Sequence, residues 1–92
     1  MNKNFYKSKL ICIARCKNER HIIEQWYNSL PFVDLFIMTD NNSTDGTYEF
    51  LKSKDNIIVT RVEGFDEGRD FQILLKMAKA LEPEWILKID CD

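Results

Sequence analysis

The 92-residue sequence lacks three features that would place it in a specialised class of protein. No stretch approaches the roughly 20 apolar residues that cross a membrane as a helix, so we expect no transmembrane segment. The three cysteines include no Cys-x-x-Cys pair, and their odd number is typical of neither a disulfide scaffold nor a zinc site. The basic residues form no face with interleaved aromatic residues, so we expect no nucleic acid among its partners.

The sequence has instead the composition of one small globular domain. It contains 45% hydrophobic and 30% charged residues, and its length suffices for one domain but not for two. We predict a polar N-terminal extension at residues 1–9 and an α/β domain at residues 10–92. The polar start contains no apolar run of signal-peptide length, and the cysteines form no disulfide framework. We therefore expect a cytoplasmic protein.

Short apolar runs alternate with amphipathic stretches along residues 10–92. The runs predict strands at residues 10–14, 34–39 and 56–62 and within residues 85–92. The amphipathic stretches predict one helix capped by Asn18 and ended by Pro31, a second at residues 47–53 and a third at residues 69–81. The connections are long enough for right-handed crossovers. We therefore predict an α/β fold with a mostly parallel four-stranded sheet and flanking helices.

Two patterns predict parts of the core. Cys12 lies in the middle of the first predicted strand, where it acts as a small buried hydrophobe. The third predicted helix carries apolar residues at helical spacing, and this stripe should face the sheet: Phe71, Leu74, Leu75, Ala78 and Leu81.

Polar residues follow three of the predicted strands. They are the groups at residues 15–19 and 40–45 and the pair Asp90 and Asp92. Ligands of open parallel sheets bind outside the carboxyl ends of the strands, so we expect the chemistry at this edge. The sequence therefore predicts that Arg15, Asp40 and Asp90 lie along one edge of the sheet.

Asp90 and Asp92 are separated by one residue at the end of the last predicted strand. Residues i and i+2 of a strand point to the same side, and two adjacent carboxylates repel unless a cation lies nearby. A hard divalent ion such as Mg²⁺ or Mn²⁺ accepts carboxylates together with phosphate oxygens and water. Residues 31–92 also hold thirteen acids against seven bases, which favours a cation. The alternative is a solvated chain end without a ligand.

The stretch 40–47 directly follows the second predicted strand and leads into a helix. The carboxylate of Asp40 could accept hydrogen bonds from the N–H of a base or from ribose hydroxyls. Its alternative role is to cap the turn through Asn42 and Ser43. Asp45, near the helix start, is expected to accept hydrogen bonds from backbone N–H groups.

Three motifs in this order resemble the nucleotide-binding half of a GT-A glycosyltransferase of the family 2 type. They are Lys-Asn-Glu at residues 17–19 together with Trp26, Asp-Asn-Asn-Ser-Thr-Asp-Gly-Thr at residues 40–47, and Asp-Cys-Asp at residues 90–92. The resemblance extends from about residue 10 to residue 92 and implies a Rossmann-like nucleotide-binding unit.

The resemblance also implies roles for individual residues toward the nucleotide. Ala14 and Arg15, at the exit of the first strand, would contact uracil or another base. Asp40 would bind the base or the ribose. Arg69 would approach the pyrophosphate, although an exposed helix-start residue is its alternative. Asp90 would lie near the ribose or the water of the metal ion.

The implied activity is transfer of a sugar from a nucleotide-diphosphate sugar, with a UDP-sugar favoured, to an unknown acceptor. Mn²⁺ or Mg²⁺ would be held by Asp90 and Asp92, with Asp92 as the direct ligand. We identify no catalytic base, since family members continue beyond this motif, and expect only the donor-binding half in this chain. Two alternatives remain: a non-catalytic nucleotide-binding module, and a phosphohydrolase whose nucleophile would be Asp90.

Overall fold

The structure is a computed structural model that describes residues 4–64 and 66–91. Within these residues, four strands alternate with three helices in the following order: β1 (Leu10–Cys16), α1 (Arg20–Asn28), β2 (Leu35–Asp40), α2 (Thr47–Lys52), β3 (Ile57–Arg61), α3 (Glu67–Ala80) and β4 (Trp85–Lys88). All the strand pairs in this part of the chain are parallel. The predicted α/β class with a four-stranded sheet and flanking helices is confirmed, and the arrangement is Rossmann-like.

The strand order is β3-β2-β1-β4, so the direction of chain winding reverses between β1 and β4. From β1 to β3 each new strand is added on one side, and α3 then carries the chain back to the other side of β1. Helices α1 and α2 accordingly pack on one face of the sheet, and α3 packs on the opposite face. The reversal leaves a crevice between the carboxyl ends of β1 and β4.

The two central strands, β1 and β2, are buried on both faces, which explains their nearly continuous apolar sequence. One core layer lies under α1 and α2 and includes Cys12, Ala14, Cys16, Ile23, Phe36 and Leu51. The other layer lies under α3 and includes Ile11, Ile13, Leu35, Ile37, Leu74 and Ala78. The predicted core position of Cys12 is confirmed, since its side chain is fully buried.

The stripe on α3 differs from the prediction at one position. Leu74 and Ala78 are buried, and the half-buried residues that pack with them include Phe71 and Leu81. Met77 belongs to this group and Leu75 does not. Asp66 accepts a hydrogen bond from the backbone N–H of Arg69 at 2.9 Å, and the helix begins at Glu67, two residues before the predicted start.

Two predicted details are wrong at the ends of elements. Asn18 is not the N-cap of α1, because Glu19 occupies that position and Asn18 adopts the left-handed conformation with φ of 50°. The strand β4 ends at Lys88, so Asp90 lies beyond it. The strand periodicity that was expected to place Asp90 and Asp92 on one side therefore does not extend to Asp90, and Asp92 lies outside the described residues.

The described N-terminal residues pack against the end of α3. Phe5 contacts the core layer under that helix, and the backbone N–H of Lys7 donates to the carbonyl of Leu81 at 2.7 Å. Within the described ranges, no helix has the length and apolar character needed to cross a membrane.

Candidate functional site

A cavity of about 550 Å³ opens at the carboxyl ends of β1 and β4. We call it the strand-end cavity. It is lined by Arg15, Cys16, Lys17, Asn18, Glu19, Thr39, Asn41, Glu67, Asp70, Lys88, Asp90 and Cys91. It lies where the strand order reverses, the position at which open α/β sheets bind their ligands. The topology and the cavity therefore place the candidate site at the edge that the polar strand exits predicted.

Arg15 lies near the end of β1 and forms one wall of the cavity. Its Nη1 lies 3.3 Å from the Oε2 of Glu67, and its Nε lies 3.4 Å from the Oδ2 of Asp70. The Nε atom is buried and makes no hydrogen bond with any residue in the described part of the chain. The guanidinium group is therefore held by two acids of α3 through ion pairs longer than ideal hydrogen bonds.

Asp70 is a residue of this site that the sequence reasoning missed. Its side chain is only 1% exposed and lines the cavity from the first turn of α3. Its Oδ1 accepts hydrogen bonds from the Nε and Nη2 of Arg69 at 3.0 and 2.9 Å. A signal was present in the sequence, because Asp70 falls on the same helical stripe as Leu74 and Ala78 and is the charged member of it.

Arg69 is turned toward Asp70 and is not among the lining residues of the cavity. Its Nη2 also donates to the backbone carbonyl of Gly64 at 3.2 Å, and its side chain remains 40% exposed. The structure thus brings Arg15 and Arg69 to the same carboxylate, with Arg15 facing the cavity and Arg69 behind Asp70.

Asp90 lines the cavity from the segment after β4, and its side chain is exposed to solvent. Two neighbouring contacts fix this segment. The indole Nε1 of Trp26 donates to the backbone carbonyl of Asp90 at 2.8 Å, and the side chain of Cys91 is buried in the core. The carboxylate is therefore presented on an anchored backbone at the cavity that Arg15 also lines.

The described residues contain no group of three or more histidine, cysteine or acidic side chains suited to a metal ion. Asp90 is the described member of the predicted pair, and Asp92 lies outside the described residues. Mg²⁺ is commonly held by only one or two protein carboxylates, with phosphate oxygens and water completing its shell. An exposed carboxylate on an anchored segment beside the cavity fits such a role.

Asp40 lies at the same edge of the sheet but is fully buried. Its carboxylate accepts hydrogen bonds from the backbone N–H and the hydroxyl of Ser43 at 3.0 and 2.5 Å. The Nε of Arg61 lies 3.7 Å away, and the thiol of Cys16 donates at 3.5 Å. The carboxylate is thus engaged within the turn and is not among the groups that line the cavity.

The loops after β1 and β2 are joined by hydrogen bonds between their motifs. We call residues 17–20 and 40–47 the loop pair. Four hydrogen bonds link them: Asn18 N–H to Ser43 Oγ, Thr44 N–H to Asn18 Oδ1, Glu19 N–H to Thr47 Oγ1, and Arg20 N–H to Asp45 Oδ2. Two of the three motifs therefore use polar side chains to hold each other and to shape one wall of the cavity.

Asp45 accepts hydrogen bonds as the sequence predicted, although Gly46 is the N-cap of α2. Its oxygens accept from the hydroxyl and backbone N–H of Thr47 and from the backbone N–H of Arg20. These bonds, with the Thr47 hydroxyl foremost, lower the pKa of Asp45 below its usual value of 3.8. Gly46 adopts φ of 96°, which explains glycine at this position.

Ala14 lies one residue before Arg15, and its side chain is buried in the core layer under α1 and α2. Of the residues predicted to bind nucleotide, Arg15 and Asp90 therefore meet at the cavity. Ala14, Asp40 and Arg69 are not among the residues that line it.

The charges around the cavity nearly balance. Among the described residues, its lining carries three bases, Arg15, Lys17 and Lys88, and four acids, Glu19, Glu67, Asp70 and Asp90. The excess of one negative charge would oppose a polyphosphate that arrived without a cation.

A scan against protein-family models gives no match to the chain, and a search of curated proteins gives none. The chemistry of the strand-end cavity is therefore the basis for the function.

Proposed function

We propose that this chain binds the nucleoside diphosphate of a sugar donor, with a UDP-sugar as the favoured ligand, and forms the donor-binding half of a GT-A-type glycosyltransferase. One observation carries the proposal: the cavity at the reversal point between β1 and β4 is lined by both Arg15 and Asp90. A cation and an exposed acid at this position suit a diphosphate and its divalent ion.

Arg15 supplies the positive charge of the site. A guanidinium group can donate two parallel hydrogen bonds to phosphate oxygens, and its ion pairs with Glu67 and Asp70 keep it at the cavity wall. The resemblance to the family places the base against the exit of β1, at Ala14 and Arg15. Because Glu67 and Asp70 hold the guanidinium group of Arg15 at the cavity wall, we assign that group to the diphosphate and leave the base to the backbone of this exit. Because the carboxylate of Asp40 is buried in its own turn, we assign it the role of shaping the loop pair.

Asp90, with Asp92, is the proposed holder of Mn²⁺ or Mg²⁺. When bound, the ion would neutralise charge on the diphosphate and on the leaving group. The net negative lining of the cavity supports a need for this cation. We propose a cytoplasmic location, since the three cysteines are free thiols buried in the fold.

The test is calorimetric titration of UDP into the chain with and without Mn²⁺. We expect metal-dependent binding that weakens about tenfold or more in Asp90→Asn and in Asp92→Asn, because each change removes a proposed oxygen ligand. Asp55→Asn is the matched control, since Asp55 is an exposed acid in the turn before β3, at the opposite edge of the sheet. UDP affinity that is independent of Mn²⁺ and equal in all variants would refute the metal role.

Two further measurements test the preferred base and the phosphohydrolase alternative. GDP and CDP, compared with UDP, report on the base, and equal affinity for the three would remove the uridine preference. Release of phosphate from a general phosphatase substrate would support the phosphohydrolase alternative, in which Asp90 would act as the nucleophile.

A further inference from the structure

Two acids at the start of α3 hold the same arginine from different environments. Glu67 and Asp70 lie 3.3 and 3.4 Å from nitrogen atoms of Arg15. The side chain of Glu67 is 71% exposed, whereas that of Asp70 is 1% exposed. An exposed ion pair exchanges readily with water and solutes, but a buried carboxylate cannot leave its partners without a large cost.

Asp70 also binds a second guanidinium group. Both the Nε and the Nη2 of Arg69 donate to its Oδ1, while its Oδ2 faces Arg15. The Arg69 group is fixed in turn by the carbonyl of Gly64. The carboxylate is thus held on one side by Arg69 and presents its other oxygen to the residue that faces the cavity.

We infer that Asp70 is a positioning residue that fixes Arg15 for an incoming diphosphate, and that Glu67 is an internal competitor that the diphosphate displaces. The inference rests on the proposed function in taking the anion to be the diphosphate of a nucleotide. Glu67 contacts Arg15 at Nη1, an outer nitrogen of the guanidinium group, which is the type of contact that a phosphate oxygen would replace. Asp70 contacts the buried Nε and stays in place.

The two acids therefore have effects of opposite sign on anion binding. If both acted only through their negative charge, removing either would strengthen the binding of an anion. A positioning role for Asp70 predicts the opposite change: removing its buried charge should weaken anion binding, because Arg15 then loses its fixed orientation.

The experiment measures the binding of inorganic pyrophosphate in the presence of Mg²⁺, and of uridine, by calorimetry at low salt. It compares the parent chain with Asp70→Asn, Asp70→Glu and Glu67→Gln. We expect Asp70→Asn to weaken pyrophosphate binding about tenfold and to leave uridine binding unchanged. Asp70→Glu should recover part of the loss, and Glu67→Gln should strengthen pyrophosphate binding about twofold to fivefold.

The matched control is Glu24→Gln, which breaks an exposed ion pair with Arg20 at 3.7 Å on α1, outside the cavity lining. It should leave both ligands unaffected. Thermal unfolding of each variant shows whether weaker binding comes from loss of the fold or from loss of the fixed orientation of Arg15. If Asp70→Asn does not fold, Asp70→Glu still tests the positioning role. It keeps the negative charge, so an effect of charge alone would leave pyrophosphate binding unchanged, whereas a displaced Arg15 would weaken it.

Unchanged or tighter pyrophosphate binding by Asp70→Asn would overturn the inference, as would a parallel loss of uridine binding or failure of the parent to bind pyrophosphate. Failure of the proposed function has a different signature. The parent would then bind pyrophosphate with the predicted contrast between Asp70 and Glu67, yet would bind UDP no more tightly in the presence of Mn²⁺.

Discussion

Asp40 and Asp90, at the carboxyl-end edge of the sheet, have the same type of side chain but differ in burial and therefore in the role that each carboxylate can have. Asp40 is fully buried and its oxygens are taken up by Ser43, Arg61 and Cys16. Asp90, in contrast, is exposed to solvent and lines the cavity. A charged group that has left water needs partners of the protein, whereas an exposed one can still bind a cation.

The first prediction concerns the buried carboxylate of Asp40. Asp40→Asn replaces an ionised acceptor beside Arg61 and places an amide where Ser43 N–H and the Ser43 hydroxyl donate. We expect the free energy of unfolding to fall by about 2 kcal/mol, as is typical when a hydrogen bond to a buried charged group is lost. Urea unfolding followed by circular dichroism measures the change.

The control for this prediction is Asp55→Asn, an exposed aspartate in a turn, which should change stability by no more than about 0.5 kcal/mol. If Asp40→Asn and Asp55→Asn had the same free energy of unfolding, the hydrogen bonds and ion pair of Asp40 would contribute no more to stability than the surroundings of an exposed aspartate.

Sequence reasoning found the position of Asp40 and Asp90 at strand ends but could not assign their burial. That property depends on Arg61, which belongs to another strand, and on the depth at which the turn packs. Asp70 was missed although it interrupts the apolar stripe of α3. A charged residue on such a stripe is a local signal for a buried, paired group.

At the level of elements, the loop pair explains why two motifs occur together in the sequence. Residues 17–20 and 40–47 lie after neighbouring parallel strands, whose register places Cys16 opposite Asp40. Both loops therefore leave the sheet at the same level, and their hydrogen bonds satisfy backbone groups that would otherwise need water.

The second prediction separates the two contributions of Asn18 to this pair. Its side chain accepts from the N–H of Thr44 at 2.8 Å, and its backbone has φ of 50°. Asn18→Ala loses the hydrogen bond and adds left-handed strain, so we expect a loss of about 2 kcal/mol in the free energy of unfolding. Asn18→Gly loses only the bond and should cost about 1 kcal/mol or less.

Chemical unfolding of both variants tests this difference, with Asn28→Ala on the exposed end of α1 as the control. A glycine variant that is less stable than the alanine variant would show that strain at residue 18 is not relieved by glycine.

The apolar pattern of the sequence predicts the existence of all seven described strands and helices, but it does not predict where each one begins and ends. β1 is two residues longer than its apolar run, because Arg15 and Cys16 are paired with Thr39 and Asp40 of the neighbouring strand. Such pairing is a property of the folded sheet. The start of α3 could, in contrast, be predicted from local sequence, since Asp66 is an N-cap residue that lies directly before the helix.

At the scale of the whole molecule, the alternation of strands and helices predicts a parallel α/β sheet, but it leaves the strand order open. The observed order places β4 beside β1 and so creates the crevice between Arg15 and Asp90. The sequence predicts that the candidate site lies at the carboxyl-end edge of the sheet. Only the structure shows that it lies between β1 and β4.

The last prediction concerns the stability of the whole chain at alkaline pH. Burial raises the pKa of the Cys12 thiol from 9.0 to about 12. A hydrogen bond to Cys91, together with burial, raises the pKa of Cys16 in the same direction. The folded chain therefore keeps protons on these thiols at pH values where the unfolded chain has lost them. This contribution to stability is fully present below pH 9 and is lost as the pH rises toward the folded values.

We expect the free energy of unfolding to fall above pH 9 by up to about 1.4 kcal/mol per pH unit for each of the two thiols. Urea unfolding under reducing conditions, at pH values from neutral to about 10, measures this slope. Cys12→Val keeps an apolar residue at this core position and removes one titrating group, so the slope should decrease by the share of one thiol. Lysine and tyrosine residues also titrate in this range, but they are the same in both chains. Equal slopes in the parent and in Cys12→Val would therefore show that the buried thiol at residue 12 does not couple folding to proton binding.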